Sequence, residues 1–384
     1  MPDRSPRDTA GRRSLWSDPR LRGLIVQAVA LAAVAAVIAY LTLNTLHNLS
    51  VRQIATGFDF LQRQAGFAIG EHLIPYDAAD SYFRALVVGL LNTLRVALIG
   101  IVLASVLGTL IGLARLSSNW LLAKLAAAYV ETFRNIPLLL QLFFWYVLIT
   151  EILPGPRQAL EPLSGVFLSN RGIKIPVPDD WTALSYAAIG LLVGAAIFVA
   201  LRRIVPRARW SGFVPLLAAP LAGWWLAGGS VTWSVPALQG FNFVGGATMS
   251  PEFSALLIGL VVYTSAFIAE IVRGGVLAVG RGQREAAQAL GLRRGQALRF
   301  VVLPQAMRVI VPPLTSQYLN LTKNSTLAVA IGYPDLVSVA GTTLNQTGQA
   351  IESIAIIMVV FLTISLSISL FMNWYNRRIA LVER

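Results

Sequence analysis

Cysteine is absent from the 384 residues. Its absence excludes disulfides, thiolate metal sites and cysteine nucleophiles, and leaves the redox compartment undetermined. Histidine is almost absent: His47 and His72 are the two. They have no metal-ligand spacing and read as plain loop residues. Charge is scarce, at 13% of residues, against about a quarter in an ordinary soluble domain. No Gly-x-x-x-x-Gly-Lys-Ser/Thr phosphate loop occurs. The Leu-Ser-Gly at Leu163 to Gly165 continues with Val166 and Phe167. The chain therefore does not hydrolyse nucleotide itself. No nucleophile elbow or zinc-binding helix is present, so no metal, bound cofactor or catalytic residue is expected.

What is there is apolar: 56% of residues are hydrophobic, in long runs from end to end. Such a chain is read as an all-α polytopic membrane protein. The first run, Leu24 to Leu43, is about 20 residues long, enough to span a bilayer. It lacks the short core and small-residue cleavage site of a signal peptide. Further spans are expected over about 86–112, 120–150, 183–201, 212–228, 252–273, 308–332 and 350–374, giving about eight. Gly108 and Gly112 have the spacing that lets helices approach closely. Pro137 breaks or kinks the third span. Residues 44–84, with Phe58, Phe60 and Phe67, are expected as short segments at the membrane interface. Residues 151–182 read as a polar loop.

An even number of spans places both termini on one side, and charge says which. The N-terminal Arg4, Arg7, Arg12, Arg13 and Arg20, the cluster Arg202, Arg203, Arg207 and Arg209, and the basic stretch from Arg273 to Arg308 fall on one side. The opposite loops hold only Arg52, Arg63, Arg84, Arg157, Arg171 and Lys174. Basic residues concentrate in cytoplasmic loops, so the expected topology is N-in, C-in. The same rule accounts for the net charge of +13 without a nucleic-acid partner; lipid is the expected surrounding. Residues 1–21 are then a cytoplasmic tail. Residues 22–84 hold the first helix and a periplasmic interfacial loop, and 85–378 a transmembrane domain. Within it, 151–250 is an insertion with two extra helices and 274–305 a cytoplasmic loop.

Ionisable residues inside spans are costly and usually mark a pathway or a partner. Glu131 and Arg134, with Asn135, sit beside Pro137. Either the two charges pair at i, i+3 and hold a kinked helix, or a broken helix exposes backbone and charge to a central cavity. Lys323, Asn324 and Ser325 either complete such a cavity or form a helix–helix cluster with a snorkelling lysine. A zwitterionic amino acid would need a cation for its carboxylate and an acceptor for its ammonium; Arg134 or Lys323, with Glu131, could supply them. Arg95 reads as an anchor or a lipid-headgroup contact, and Glu270 with Arg273 as a structural pair.

The stretch Glu285-Ala286-Ala287 to Gly291, continuing to Leu303-Pro304, is a basic island. Good helix formers precede Gly291, a natural stop. Ala286, Ala287 and Leu290 are expected on one side of that helix. The segment is either a solvated cytoplasmic loop or a surface that docks another protein.

In order, these motifs resemble permease subunits of binding-protein-dependent ABC importers of type I. Gly89-Leu90-Leu91-Asn92-Thr93-Leu94, Glu131 through Gln141, Glu270 through Gly275, Gly282 through Ala287 and Lys323 through Leu327 look like the polar amino acid, histidine/glutamine permease-like branch. Gly57-Phe58-Asp59-Phe60-Leu61, Ala65-Gly66-Phe67 and the inserted helices look like the general L-amino acid permease of Gram-negative bacteria. Ser325 stands where many relatives have Thr. The resemblance implies a core of five helices plus three added ones, in the bacterial inner membrane. It implies that Glu285, Ala286, Ala287, Gly291, Leu303 and Pro304 couple to a cytoplasmic ABC ATPase dimer that carries ATP and Mg. A second homologous permease would line the path, and a periplasmic amino acid-binding protein would deliver substrate. The competing reading is an ion-coupled secondary transporter without an ATPase.

Overall fold

The computed structural model describes residues 19–51, 56–204 and 213–379. Residues 1–18 of the expected tail at 1–21, and 205–212 of the arginine link, lie outside them. The chain is mostly helical. The helices are α1 (Pro19–Val51), α2 (Tyr82–Ala114), α3 (Trp120–Asn135), α4 (Leu138–Val147), α5 (Thr182–Ile204), α6 (Val214–Leu226), α7 (Pro251–Leu277), α8 (Arg281–Ala289), α9 (Arg294–Ala297), α10 (Leu303–Asn324), α11 (Leu336–Thr347) and α12 (Ala350–Ile379). Among the described residues, six helical stretches are long and apolar enough to cross a membrane, or seven if the bent α3–α4 pair counts as one span.

The spans start where local chemistry dictates. The Ser81 hydroxyl accepts from the Arg84 backbone N–H and caps α2. The Ser250 hydroxyl accepts from the Phe253 N–H and caps α7, with Pro251 in its first turn. Both devices satisfy N–H groups that a helix start leaves without partners.

The core is α2 against α7, flanked by α3, α4, α10 and α11. In lipid, apolar burial gives little drive for helix pairing, so close approach and interhelical hydrogen bonds hold the bundle. The glycine spacing read from the sequence acts here. A Cβ at Gly108 would lie 2.7 Å from Ile268 Cβ and 2.8 Å from the Ser265 carbonyl oxygen. One at Gly112 would lie 2.7 Å from the Ala269 carbonyl oxygen. Hydrogen bonds then tie neighbours together. Tyr129 of α3 lies 2.8 Å from the Ser265 hydroxyl of α7, Ser105 of α2 lies 2.9 Å from the Tyr318 hydroxyl of α10, and the Leu336 N–H donates to Thr93 Oγ1 at 3.0 Å. Away from this seam, Leu98, Val102, Val106 and Leu110 of α2 are all exposed. Their four-residue spacing makes a stripe along one face.

One expectation needs correction: the chain is not all-α, because the segments flanking α5 and α6 form small antiparallel sheets. Strands β1 (Leu160–Leu163), β2 (Val166–Ser169), β3 (Gly172–Ile175) and β4 (Val177–Pro178) precede the helical pair. Strands β5 (Trp233–Ser234), β6 (Ala237–Gln239), β7 (Asn242–Val244) and β8 (Ala247–Met249) follow it. One sheet has the order β1-β2-β3-β8, and β4 pairs with β5. Gly165, at φ +79°, makes the tight β1–β2 turn possible. The pairs Ile173–Met249 and Val177–Ser234 bring both ends of the insertion together. The extra helices therefore leave and rejoin the core at one place.

The aromatic stretch after α1 packs its middle residue against the helical core. Asp59–Gln62 is a single 3-10 turn. Phe60 is fully buried with Ala65, Ile69, Ala85, Val88 and Leu336, its ring 6.0 Å from that of Tyr82. Phe58 alone of that turn's aromatics stays exposed.

Candidate functional site

The expected break in the third span is sharp: α3 and the helical stretch from Leu138 to Ile152 meet at 103°. Pro137 supplies no N–H and forces Ile136 into extended backbone. The carbonyls freed by the break are not left bare. The buried Gln141 side chain donates from Nε2 to the carbonyls of Phe133 at 2.9 Å and Ile136 at 3.0 Å. This role was missed in the sequence; a glutamine four residues after a mid-span proline is the signal for it.

A second break lies at the end of α10, where the chain tightens into a 3-10 stretch from Ser325 to Ile331. Ser325 is buried and donates to the Thr322 carbonyl at 2.8 Å. Leu138, at the start of α4, and Ala328, inside the 3-10 stretch, belong to one buried cluster. The structure thus brings the two breaks together.

The two charges of the broken span do not form the pair that their spacing allows. No ion pair joins Glu131 to Arg134 among the described residues. The Arg134 guanidinium instead lies 5.0 Å from the centre of the Phe267 ring on α7. Glu131, Arg134, Asn135 and Lys323 are exposed and Asn324 half-buried. The expected pairing of Glu270 with Arg273 is present at 2.5 Å, and Arg115 from the end of α2 joins the same carboxylate. Arg95 is not a lipid anchor. It pairs with Glu71 at 2.6 Å and stacks over Phe253 at 4.1 Å. Glu71 also accepts from the Ser250 hydroxyl, and the Asn92 amide donates to the Glu71 and Pro334 carbonyls. Nothing in the local sequence marks Glu71, because its partners lie far along the chain.

The basic island folds as α8, closed by a Schellman motif. Gly291 takes φ +75°. Its N–H donates to the Gln288 carbonyl at 2.9 Å and the Leu292 N–H to the Ala287 carbonyl at 3.1 Å, which satisfies carbonyls at the helix end. Ala287 is buried, but Glu285 and Ala286 are exposed and Leu290 is 81% exposed. The expected single apolar side is therefore split: Ala287 holds the helix to the chain, while Ala286 and Leu290 face away. Arg284 Nη2 donates to the Val276 carbonyl at 2.7 Å and anchors α8 to the end of α7. Leu303 and Pro304 open α10, directly after a π-helical stretch from Leu298 to Val302.

A helical membrane bundle with paired helix breaks, an outward-facing amphipathic helix and no phosphate loop is the build of a translocation subunit. The chain belongs to the binding-protein-dependent transport system inner membrane component family, whose sequence profile matches residues 100–381. It is 55% identical over 380 residues to the "Putative amino-acid ABC transporter permease protein YhdX" of Escherichia coli, covering 96% of this chain and 97% of that one. It is 45% identical over 382 residues to the "General L-amino acid transport system permease protein AapQ" of Rhizobium johnstonii, covering 97% and 96%. It is 43% identical over 408 residues to the "Glutamate/glutamine/aspartate/asparagine transport system permease protein BztB" of Rhodobacter capsulatus, covering 96% of each. The chain is accordingly a multi-pass inner-membrane translocation subunit, and ATP hydrolysis belongs to a separate chain.

Proposed function

We propose that this chain is a permease subunit of an ATP-driven importer that moves L-amino acids from the periplasm to the cytoplasm by alternating access. The observation that carries the coupling mechanism is the exposed face of α8. Among the described residues nothing covers Glu285, Ala286 and Leu290, yet the helix is fixed by Gly291 below and Arg284 behind. A rigid apolar knob on a polar loop suits a groove in the ATPase, which binds ATP and Mg. Ala287 and Leu303-Pro304 then pass its movement to α7 and α10. Eight spans with both termini inside, from the distribution of basic residues, put this loop in the cytoplasm. On this reading the domain limits at 1–21, 22–84, 85–378, 151–250 and 274–305 stand as drawn from the sequence.

The substrate path lies at the paired breaks. Glu131, Arg134, Asn135 and Lys323 are exposed beside them, with Asn324 half-buried and Ser325 buried at the second break, and on this reading a second permease subunit closes the path. Broken helices expose backbone dipoles and charge at such sites, and Arg134 or Lys323 supplies the cation for a substrate carboxylate. A periplasmic amino acid-binding protein delivers the substrate. The names of the relatives, which specify amino acids and in one case a broad set, support the substrate class.

The test is reconstitution with the products of neighbouring genes and ATP-dependent uptake of several amino acids. Gly291→Val, strained at φ +75°, and Glu285→Ala should uncouple ATP hydrolysis from uptake while the chain still inserts. Wild-type stimulated hydrolysis and uptake in both variants would remove α8 from the coupling path. Arg134→Ala should cut uptake at least tenfold with assembly intact; loss of assembly instead would make Arg134 a structural residue.

A further inference from the structure

A groove of about 460 Å³ runs beside α8, a size within the about 300–1,000 Å³ of small-molecule sites. Its walls are Leu113 and Leu116 from the end of α2, Val276 and Leu277 from the end of α7, and Leu298 and Val302 before α10. Arg284 and Gln288 of α8 form its polar end. The groove continues the exposed stripe of α2, since Leu113 follows Leu110 by one short turn and both are exposed. Leu277 and Leu298 are also about half exposed. One end of the groove is therefore continuous with the surface that faces lipid acyl chains.

The other end is cationic and incompletely satisfied. Arg284 Nη2 is occupied by the Val276 carbonyl, but its Nε is buried without an acceptor among the described residues. A buried N–H without a partner calls for one. The acidic side chain near this end of α7, Glu270, is already held by Arg115 and Arg273. Arg281, Arg293 and Arg299 add positive charge nearby in the chain. An apolar trough with a basic end, open to the bilayer, fits one acyl chain joined to an anionic headgroup.

We propose that this groove binds an anionic phospholipid, with an acyl chain against Leu113, Leu116, Val276 and Leu298 and a headgroup oxygen on Arg284. The lipid would pack against the inner face of α8 and fix its tilt while leaving Ala286 and Leu290 free.

The test uses the full-length chain purified in detergent, exchanged free of native lipid, and titrated with phosphatidylglycerol or phosphatidylcholine under native mass spectrometry. One phosphatidylglycerol should be retained at least tenfold more tightly than phosphatidylcholine. Arg284→Gln should abolish that preference. Because this change also removes the bond to Val276, Leu298→Trp provides a second variant; it narrows the groove, leaves Arg284 in place and should weaken both lipids. Inorganic phosphate at millimolar concentration should not displace the bound lipid. Equal retention of the two lipids, unaltered binding in both variants, or displacement by phosphate would overturn the proposal. So would crosslinking of a Leu298→Cys thiol to the ATPase in native membranes, which would place protein in the groove; the cysteine-free background makes that readout unambiguous.

Discussion

Two regions of the molecule use the same device and reach different results. In the α2–α7 seam, Gly108 and Gly112 let one helix lie on the backbone and branched side chains of the other. In the α5–α6 pair, Gly190 and Gly194 face the carbonyls of Ala219 and Pro215, and Gly223 faces that of Tyr186. Both are small-residue contacts of the kind that hold helices together in lipid. The seam, however, is embedded in a network: α7 alone also meets α3, α4 and α10, and hydroxyl bonds cross to α3, α10 and α11. The α5–α6 pair packs chiefly on itself, with Leu191, Leu192, Leu217, Leu221 and Leu226 turned outward. α1 is exposed along its described length. Close approach fixes a pair of helices, whereas shared partners make the pair part of a cooperative core.

The sharpest way to break this comparison is Gly108→Leu. Its Cβ would already collide with Ile268 and the Ser265 carbonyl, and no flexible neighbour can yield. Overpacking a tight core costs about 1–3 kcal/mol and sometimes more; here it separates the two central helices. The expected outcome is failure to accumulate as a folded chain in the membrane, or a fall of about 5 °C or more in detergent Tm. A Tm within a degree of the parent would show that the seam is not the centre of stability.

A smaller effect, confined to the core, comes from a buried acid that the hairpin lacks. Asp335 lies between spans, fully buried, next to the close approach at Gly89. One carboxylate oxygen caps α11 by accepting from the Ser338 N–H at 2.8 Å, while the other has no partner among the described residues. Burial pushes its pKa up to about 7, opposed by backbone hydrogen bonds from Ser338 and Val337. A raised pKa means that the folded state binds the proton more tightly. Stability should therefore be highest below about pH 4, fall as pH rises toward about 7, and level off above. Asp335→Asn keeps an oxygen for the cap and removes the titrating charge. Tm of the variant should change less than that of the parent between about pH 5 and 8. An identical slope in both would assign the pH dependence elsewhere.

Much of the core was legible because its causes are local or periodic. Apolar length located α1, α2, α7 and α12, Pro137 located the α3–α4 break, Gly291 located the end of α8, and the four-residue glycine spacing identified the seam. What escaped depends on contacts distant in sequence. Glu71 meets Arg95 and Ser250 only once α2, α7 and the preceding loop are assembled. The burial of Phe60 escaped because only the folded α2 and α11 supply its cavity. Glu131 and Arg134 have the right spacing to pair, but Phe267 on a neighbouring helix holds the guanidinium instead. The strands around the insertion are only two to four residues long, too short for alternation to stand out in an apolar chain. Their glycine turns were the available signal.

The smallest effect on the core should come from Gly190→Leu, although the local collision with the Ala219 carbonyl is as severe as any at Gly108. The difference lies in where the strain can go. At Gly108 it meets helices pinned on several sides. At Gly190 the hairpin can open outward, because α5 and α6 share few contacts with anything else, and the β3–β8 and β4–β5 pairs hold its root closed. Hydrogen exchange measured by mass spectrometry on the purified chain should show faster exchange across 182–204 and 214–226 and no change across 82–114 or 251–277. Faster exchange spreading into α7 would mean that the hairpin supports the core and that the two regions form one cooperative unit.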